Sequence, residues 1–483
     1  MPEGISRRAF LKKTAVLTAS IAALPHARVL GANDDIRVAV VGYRSKGMQH
    51  IGVFKHLPGV RVVALCDVDS AITAQALQKH FADGTPQPKT YTDVRKLLED
   101  KEIDAVCIAT PNHWHAPITV WACQAGKDVY VEKPCSHTVW EGAQMVKAAH
   151  KYKRIVQIGM QNRSDPGLKA AFEFLNAGKL GTIQHVRGIY YNLRQPIGKV
   201  SGPQQPPPEV DYNLWLGPAP EAPLMREKLH YDWHWQWPYG NGELGNNGVH
   251  MLDLATWLLG IQEFPSRVLS VGGRFLFDDD GQTPNTHLTW YDYKPVPVLC
   301  EIRNLPRFKG DKTSDHVLGH RFAVEVKCKD GSYVGYGPGG WVYDNDGMKV
   351  QQFVGDGGAS HAQNFIDAVR ARKHEMLAAK VEAGHLAAGL CHIGNISHRL
   401  GEKADGAKIH KAIEGNVMMT DAMERFHEHL LVNAVDVTQT PRILGAMLDF
   451  DNSSQRFTGE RSEEANTLLT KPYRAGFEIH EQV

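Results

Sequence analysis

Short β-branched runs alternate with helical segments over the first third of the chain. The strand-like runs are Ile36–Val41, Val60–Asp67, Ile103–Thr110, Asp128–Pro134 and Ile155–Ile158. Strands that alternate with helices of about a dozen residues are typical of a doubly wound parallel sheet, so an α/β fold is predicted. Ligands of such sheets bind at the carboxyl ends of the strands, where Gly42, Asp67, Thr110, Pro111 and Lys133 all fall.

The length and charge of the chain limit what it can be. At about 150 residues per domain, 483 residues predict two domains with extra segments. There are 54 Lys and Arg against 53 Asp and Glu, a net charge of +1, which speaks against a nucleic-acid partner. The seven cysteines are odd in number and scattered without a CxxC pair, so neither a disulfide framework nor a cysteine zinc site is expected.

The amino terminus has the pattern of an export signal. The run Ser6-Arg7-Arg8-Ala9-Phe10-Leu11-Lys12-Lys13 precedes an uncharged stretch from Ala15 to Leu24 and resembles a twin-arginine signal. The stretch has about half the length that a bilayer-spanning helix needs, so no stable membrane insertion is expected. We predict a cleaved signal over residues 1–32 and a periplasmic or otherwise exported protein.

A glycine turn follows the first strand. Gly42-Tyr43-Arg44-Ser45-Lys46-Gly47 leads directly into a helical segment. In a dinucleotide fold, the backbone N–H groups of such a turn hold the pyrophosphate at the helix amino terminus. Arg44 replaces the middle glycine of the GxGxxG pattern, and a plain strand-to-helix turn stays an alternative.

The second strand ends in an acid. Asp67 lies 20 residues beyond Gly47, the position expected for a carboxylate that hydrogen-bonds the adenosine ribose. A carboxylate there favours NAD over NADP because it repels the 2′-phosphate, although Arg44 could partly offset that repulsion. Alternatively, Asp67 caps a helix that starts near Ala71.

Glu132-Lys133-Pro134, together with Ala109-Thr110-Pro111-Asn112-His113-Trp114-His115 and the Gly42 turn, resembles the Gfo/Idh/MocA family of sugar oxidoreductases. The resemblance covers roughly residues 34–400. It implies a Rossmann domain over 33–158 and an α/β domain over 159–400. The second domain would carry a large open, mostly antiparallel sheet and the helix, beginning at His361, that returns to the Rossmann domain. Residues 401–483 lie outside the match and are expected to form a peripheral helix-and-loop extension in a homo-oligomer.

The resemblance assigns roles to individual residues. It places Lys133 beside the substrate and the nicotinamide, where an ammonium group stabilises the charge that develops during hydride transfer. Further cofactor contacts are implied at Thr110, Pro111, Asn112, His115 and Glu132. A solvated lysine at a strand end is the alternative for Lys133.

The resemblance also makes His250 the general base, since imidazole suits removal of a hydroxyl proton. The family's aspartate four residues earlier is Asn246 here, which cannot stabilise an imidazolium ion. Asp232, Glu243 or Asp253 could supply that charge, or His250 works differently. A helix-capping or core histidine remains an alternative.

Candidate substrate contacts lie on either side of these residues. Gln161 and Arg163 follow the strand that ends at Ile158, and Asn246 could position a sugar hydroxyl. Trp233 and Trp235 belong to the aromatic run His230–Tyr239, whose rings could stack on sugar faces. That run could equally be a core plug or an oligomer contact. His230, Asp232 and His234 lack the helical spacing of a metal motif, so no metal is predicted.

We therefore expect an exported NAD-dependent oxidoreductase that acts on a sugar, glycoside or polyol and retains its cofactor. A redox-neutral enzyme that oxidises a sugar hydroxyl transiently, as a glycosidase or epimerase, is the first alternative. A non-catalytic sugar-binding protein is the second, because of Asn246.

Overall fold

The computed structural model describes residues 35–480, which form two α/β domains and a carboxyl-terminal segment. The predicted signal over residues 1–32 lies outside the described residues. Between residues 35 and 480, no helix combines the length and the apolar character that crossing a bilayer requires. All seven cysteines are buried and unpaired.

The first domain is a six-stranded parallel sheet. Its strands are β1 (Ile36–Val41), β2 (Val60–Cys66), β3 (Lys89–Tyr91), β4 (Ala105–Ile108), β5 (Asp128–Val131) and β6 (Val156–Ile158). Its helices are α1 (Lys46–His56), α2 (Ser70–Phe81), α3 (Val94–Glu99), α4 (Asn112–Gln124) and α5 (Val139–Lys151). The strand order β3-β2-β1-β4-β5-β6 confirms the predicted doubly wound sheet. The order reverses between β1 and β4, which opens a crevice at their carboxyl ends.

The second domain is built on a much larger sheet. It contains β7 (Ile183–Tyr191), β8 (Arg267–Gly273), β9 (Thr286–Tyr291), β10 (Val298–Arg303), β11 (Phe322–Cys328), β12 (Gly331–Gly335), β13 (Gly339–Tyr343) and β14 (Lys349–Val354). Only β7 and β10 pair in parallel among these strands. The predicted large, mostly antiparallel sheet is thereby confirmed. Three helices precede β8: α6 (Pro166–Asn176), α7 (Tyr212–Leu216) and α8 (Val249–Leu259).

Two later helices connect the domains. A helix begins at His361 as predicted, and this helix, α9 (His361–Ala371), packs Phe365 against Phe54 and Tyr130 of the first domain. The next helix, α10 (Val381–Arg399), lies against β6, where a Cβ atom on Gly384 would come 2.4 Å from Ile158. The close approach leaves no space for a side chain and fixes α10 on the first domain.

Residues 401–480 differ from the peripheral helix-and-loop extension that was expected. They contribute four strands: β15 (Glu402–Ala404), β16 (Arg442–Leu444), β17 (Leu448–Asp451) and β18 (Arg456–Thr458). Both β16 and β17 pair with β8, so the second sheet reaches twelve strands. The remaining helices are α11 (Gly406–Ala412), α12 (Val417–Val432) and α13 (Ser462–Thr467). Strands of three or four residues carry too little pattern to be recognised, and β8, the partner of β16 and β17, is more than 150 residues away in the chain.

Residues 468–480, the C-terminal strap, return to the first domain. The Lys471 ammonium lies 2.8 Å from Oε1 of the buried Glu141, and the Tyr473 hydroxyl donates to the same oxygen at 2.6 Å. The other Glu141 oxygen accepts the backbone N–H groups of His137 and Thr138. The strap therefore neutralises a buried carboxylate that fixes the start of α5.

Replacing Lys471 with Met should lower the free energy of unfolding by about 3–5 kcal/mol, because it leaves the Glu141 carboxylate buried without a cation. Urea denaturation at pH 7 measures the change. Lys169→Met, an exposed lysine on α6, is the matched control and should change stability by less than about 0.5 kcal/mol. Equal losses in both variants would contradict the assignment.

Candidate active site

A cleft of about 1010 Å³ runs along the carboxyl ends of the parallel strands and is closed by segments of the second domain. Most of the predicted site residues line it: Gly42, Tyr43, Arg44, Asp67, Thr110, Pro111, Asn112, His115, Glu132, Lys133, Gln161, Trp233, Asn246 and His250. Gly47, Arg163 and Trp235 lie outside the cleft wall. The structure thus brings the predicted nucleotide turn and the predicted catalytic residues into one cavity.

At the glycine turn after β1, the backbone passes close to that of Thr110. Gly42 has φ +75°, and a Cβ atom there would lie 2.7 Å from the Thr110 nitrogen. A Cβ atom on Gly47 would lie 2.0 Å from the Gly42 oxygen. Both positions therefore require glycine. Gly47 lies outside the cleft wall and allows the turn to pack tightly against the Gly42 carbonyl.

Asp67 is held at the end of β2 by the backbone. Its carboxylate accepts the N–H groups of Tyr43 at 2.9 Å and Asp69 at 3.0 Å. Burial raises the pKa of Asp67 to about 6. The cap of α2 is Asp69, which accepts from Ala71 and Ile72, so the alternative role of Asp67 as that cap is wrong. A positioned carboxylate beside a glycine turn in an open cleft fits a dinucleotide.

Glu132 anchors the segment that carries Lys133. Its Oε1 atom lies 2.8 Å from His50 Nε2 and 3.2 Å from Gln161 Nε2, while Oε2 accepts the Lys133 N–H. Burial opposes the charged form, but the His50 hydrogen bond and the nearby cations hold the pKa of Glu132 well below its usual range. Glu132 is therefore ionised at the base of the cleft.

Lys133 joins the two domains. Its Nζ atom donates to the Asn246 carbonyl at 2.6 Å and to the Asn246 side-chain oxygen at 3.3 Å. Burial lowers the pKa of this ammonium group. Asn246 belongs to a π-helical turn, Leu244–Gly248, that leads into α8. Such turns are frequent at functional sites. The asparagine thus faces Lys133.

His250 is the second residue of α8 and is buried. Within residues 35–480 neither ring nitrogen has a hydrogen-bond partner, so a helix-capping role is wrong. Burial, followed by the charge of Lys133, lowers the pKa of His250 to about 3.

The acids proposed to support His250 are largely engaged elsewhere. Glu243 binds Arg194 through both oxygens at 3.0 Å, and Asp253 accepts from Arg163 at 2.8 Å. Asp232 lies outside the cleft wall. Glu132, by contrast, lines the cleft together with His250. The Asp253 contact also explains why Arg163 is turned away from the cleft.

Several cleft residues were not assigned to the site from the sequence. These are Tyr190, Asn192, Arg194, Tyr231, His234 and Asn247. Asn192 and Arg194 follow the end of β7. Polar residues just after a strand are the sequence feature that could have identified these two as site residues. In the aromatic run, Trp233 lines the cleft, whereas Trp235 is buried under the Arg194 guanidinium at 5.4 Å. His115 lines the cleft, but its two ring nitrogens lie 2.7 Å and 2.8 Å from the backbone oxygens of Pro134 and Thr110.

Two family models match the chain in the regions that build this cleft. Residues 36–160 match the Gfo/Idh/MocA oxidoreductase family, NAD-binding Rossmann fold, and residues 179–283 match its C-terminal α/β domain. Residues 36–160 and 179–283 are thus similar to the two domains of the Gfo/Idh/MocA oxidoreductases. The first of these family domains is described as NAD-binding, which supports a nicotinamide cofactor. In the described part of the chain, no three His, Cys, Asp or Glu side chains are grouped to hold a metal ion.

Relatives of known name extend the comparison with the Gfo/Idh/MocA domains. A glycosyl hydrolase family 109 protein of Shewanella sp. (strain W3-18-1) is 33% identical over 174 residues, which are 31% of this chain and 38% of that protein. A protein of the same name from Shewanella pealeana is 35% identical over 125 residues, 25% of this chain and 27% of the relative. The chain thus spans well under half of these relatives' length.

Solved structures share the Gfo/Idh/MocA fold at low identity. The WlbA dehydrogenase from Bordetella pertussis, in complex with NADH and UDP-GlcNAcA, has a TM-score of 0.54 at 17% identity over 74% of this chain and 94% of its own. Myo-inositol 2-dehydrogenase from Lactobacillus plantarum has a TM-score of 0.53 at 20% identity over 74% and 96%. These likenesses show the fold.

The pKa of Asp67 predicts how NAD⁺ binding depends on pH. A raised pKa of about 6 means that the carboxyl group is protonated below pH 6 and cannot accept both ribose hydrogen bonds. The dissociation constant of NAD⁺, measured by calorimetry, should rise as the pH falls from 7 to 5. Asp67→Asn should weaken binding about tenfold or more at pH 7 and remove the pH dependence. A constant affinity of the unmodified protein from pH 5 to 8 would contradict this role.

Proposed function

We propose that the protein oxidises a hydroxyl group of a sugar, glycoside or polyol, with NAD⁺ as the hydride acceptor. The observation that carries the proposal is the shared cleft, which extends from Gly42 and Asp67 to Lys133 and His250. NAD⁺, when bound, supplies the hydride acceptor. NAD is proposed over NADP because Asp67 would face the 2′-position of the adenosine ribose.

The residues of the chain supply orientation and charge. Lys133 places an ammonium group at the end of β5, where it stabilises the alkoxide that forms as the hydroxyl proton leaves. Glu132 fixes the Lys133 backbone, and Asn246 fixes its ammonium group. The polar side chains of Gln161, Asn192 and Asn247 line the same cleft and suit the remaining hydroxyls of a sugar.

A second candidate function is redox-neutral. The relatives of Shewanella are named glycosyl hydrolase family 109 proteins, and their identity to this chain is about a third over the matched residues. In that case the sugar hydroxyl is oxidised only transiently, the neighbouring C–H bond becomes acidic, and the glycosidic bond breaks by elimination. Water then adds to the resulting double bond and the carbonyl is reduced again, so the reaction would be a net hydrolysis with no net change in a bound cofactor.

Export supports cofactor retention. We propose that Ser6–Lys13 directs the folded protein through the twin-arginine route, because the run has the paired arginines and the apolar stretch that follows them. A nicotinamide enzyme outside the cytosol has no exchangeable cofactor pool. A nucleotide that stays bound and is recycled removes that difficulty.

The two candidate functions differ in a direct assay. The protein is incubated with 4-nitrophenyl glycosides without added NAD⁺, and separately with D-glucose, D-galactose and myo-inositol plus NAD⁺. Nitrophenol release supports the redox-neutral reaction, and net NADH formation supports the oxidoreductase. If neither occurs but a sugar raises the melting temperature, the protein is a non-catalytic binder. Mass spectrometry of nucleotide released on denaturation tests retention.

Lys133→Met should lower the rate of whichever reaction is found by about 10²–10³-fold, because the alkoxide loses its charged donor. The dissociation constant of NAD⁺ should stay within about threefold. Lys169→Met is the control and should retain full activity. A Lys133→Met variant with unchanged turnover would exclude both catalytic functions.

Replacing Arg7 and Arg8 together by Lys should abolish export of the protein in its host. Immunoblots of cytoplasmic and periplasmic fractions measure the distribution. The double variant should accumulate in the cytoplasm with unaltered melting temperature. Export at the usual level would contradict the proposed signal.

A further inference from the structure

His234 lies in the cleft wall, in the aromatic run that leads to α8. Its ring stacks on Trp233 with the centroids 3.6 Å apart and the planes 20° from parallel. Lys133 and Arg194 line the same cleft. His234 therefore belongs to the same cleft as the proposed catalytic lysine.

The tautomer of His234 is set by the backbone. Nδ1 lies 2.5 Å from the carbonyl oxygen of Tyr231, and a carbonyl can only accept, so Nδ1 carries the hydrogen. In the neutral ring, Nε2 is then an acceptor. Among the described residues Nε2 has no hydrogen-bond partner. Burial lowers the pKa of His234 to about 3, so the ring is neutral at pH 7.

A chain of polar contacts holds the side chain of Tyr231, whose carbonyl binds His234. Tyr231 has φ +68°, a conformation that a non-glycine residue adopts only when its surroundings impose it. Its hydroxyl accepts from Arg194 Nη1 at 2.7 Å. The same guanidinium is bound by the buried carboxylate of Glu243 at 3.0 Å through two nitrogens. Glu243 is thus connected to His234 through Arg194 and Tyr231.

The other histidine of the cleft lacks such support. No described residue hydrogen-bonds to His250, so its tautomer is not set. The Asn246 side chain, four residues earlier, faces Lys133. The carboxylate of this segment is Glu243, three residues before Asn246, and it binds Arg194.

We propose that Nε2 of His234 is the base that accepts the hydroxyl proton of the substrate. The inference rests on the proposed function. The substrate O–H bond breaks and its proton forms an N–H bond on Nε2, while the C–H electron pair leaves as hydride and reduces NAD⁺ to NADH. The substrate carbon becomes a carbonyl. Because the ring is a weak base, the proton is held briefly and passes to water, or back to the substrate in a redox-neutral cycle.

The test compares His234→Gln with His250→Gln, using the sugar among the three named above that the unmodified protein oxidises. Single-turnover NADH formation should fall by about 10²–10⁴-fold in His234→Gln and by less than about tenfold in His250→Gln. The NAD⁺ dissociation constant should change less than about twofold in either variant. His316→Gln, in an exposed loop, is the matched control. Added imidazole should partly restore the rate of His234→Ala.

A second readout does not depend on turnover. In ¹⁵N spectra of histidine-labelled protein, the signal that is lost in His234→Gln should show a neutral Nδ1–H ring from pH 5 to 8. An Nε2–H ring, or a titration near pH 6.5, would overturn the proposal. So would a His234→Gln variant that oxidises the sugar within about fivefold of the unmodified rate. If no sugar is oxidised or cleaved by the unmodified protein, the proposed function itself fails and the assignment of His234 fails with it.

Discussion

The hydrogen bond from Lys133 to the Asn246 carbonyl is the contact on which the cleft depends. It joins the end of β5 in the first domain to the π-helical turn before α8 in the second, at 2.6 Å. A buried ammonium group needs an acceptor, and the carbonyl supplies one without adding a charge. At the other end of the lysine, the Glu132 carboxylate accepts the backbone N–H of Lys133. The cation is thereby presented to the cavity with its position set from both domains.

The first domain could be predicted from the sequence because its signals are local. Five of the six parallel strands are short apolar runs followed by a turn and a helix, so periodicity placed Gly42, Asp67 and Lys133 at one edge of the sheet. The other strand, β3 (Lys89–Tyr91), has no apolar run and was not predicted. The long-range parts could not be predicted in this way. Strands β16 and β17 are too short to be recognised without their pairing to β8. Arg163 lies outside the cleft because it is bound by Asp253, 90 residues later in the chain.

The replacement of the expected aspartate by Asn246 changes the charge pattern of the cleft without removing the negative charge from the segment. Glu243 lies one helical turn earlier and is fully paired with Arg194, which carries the contact on to Tyr231. A carboxylate at position 246 would lie directly against Lys133 and neutralise it. With asparagine there, the ammonium group keeps its positive charge for the substrate. The sequence pattern showed the substitution but not the direction in which Glu243 points.

The C-terminal strap also supports the site, through its contacts with Glu141. Glu141 fixes the backbone of His137 and Thr138, only four and five residues after Lys133. Lys471 and Tyr473 hold that carboxylate from the other side. The segment from Lys133 to Thr138 is therefore fixed at one end by Asn246 and at the other by Glu141. Residues that the sequence places beyond both family domains thus stabilise the loop that carries the central cation, which makes the strap part of the architecture of the site.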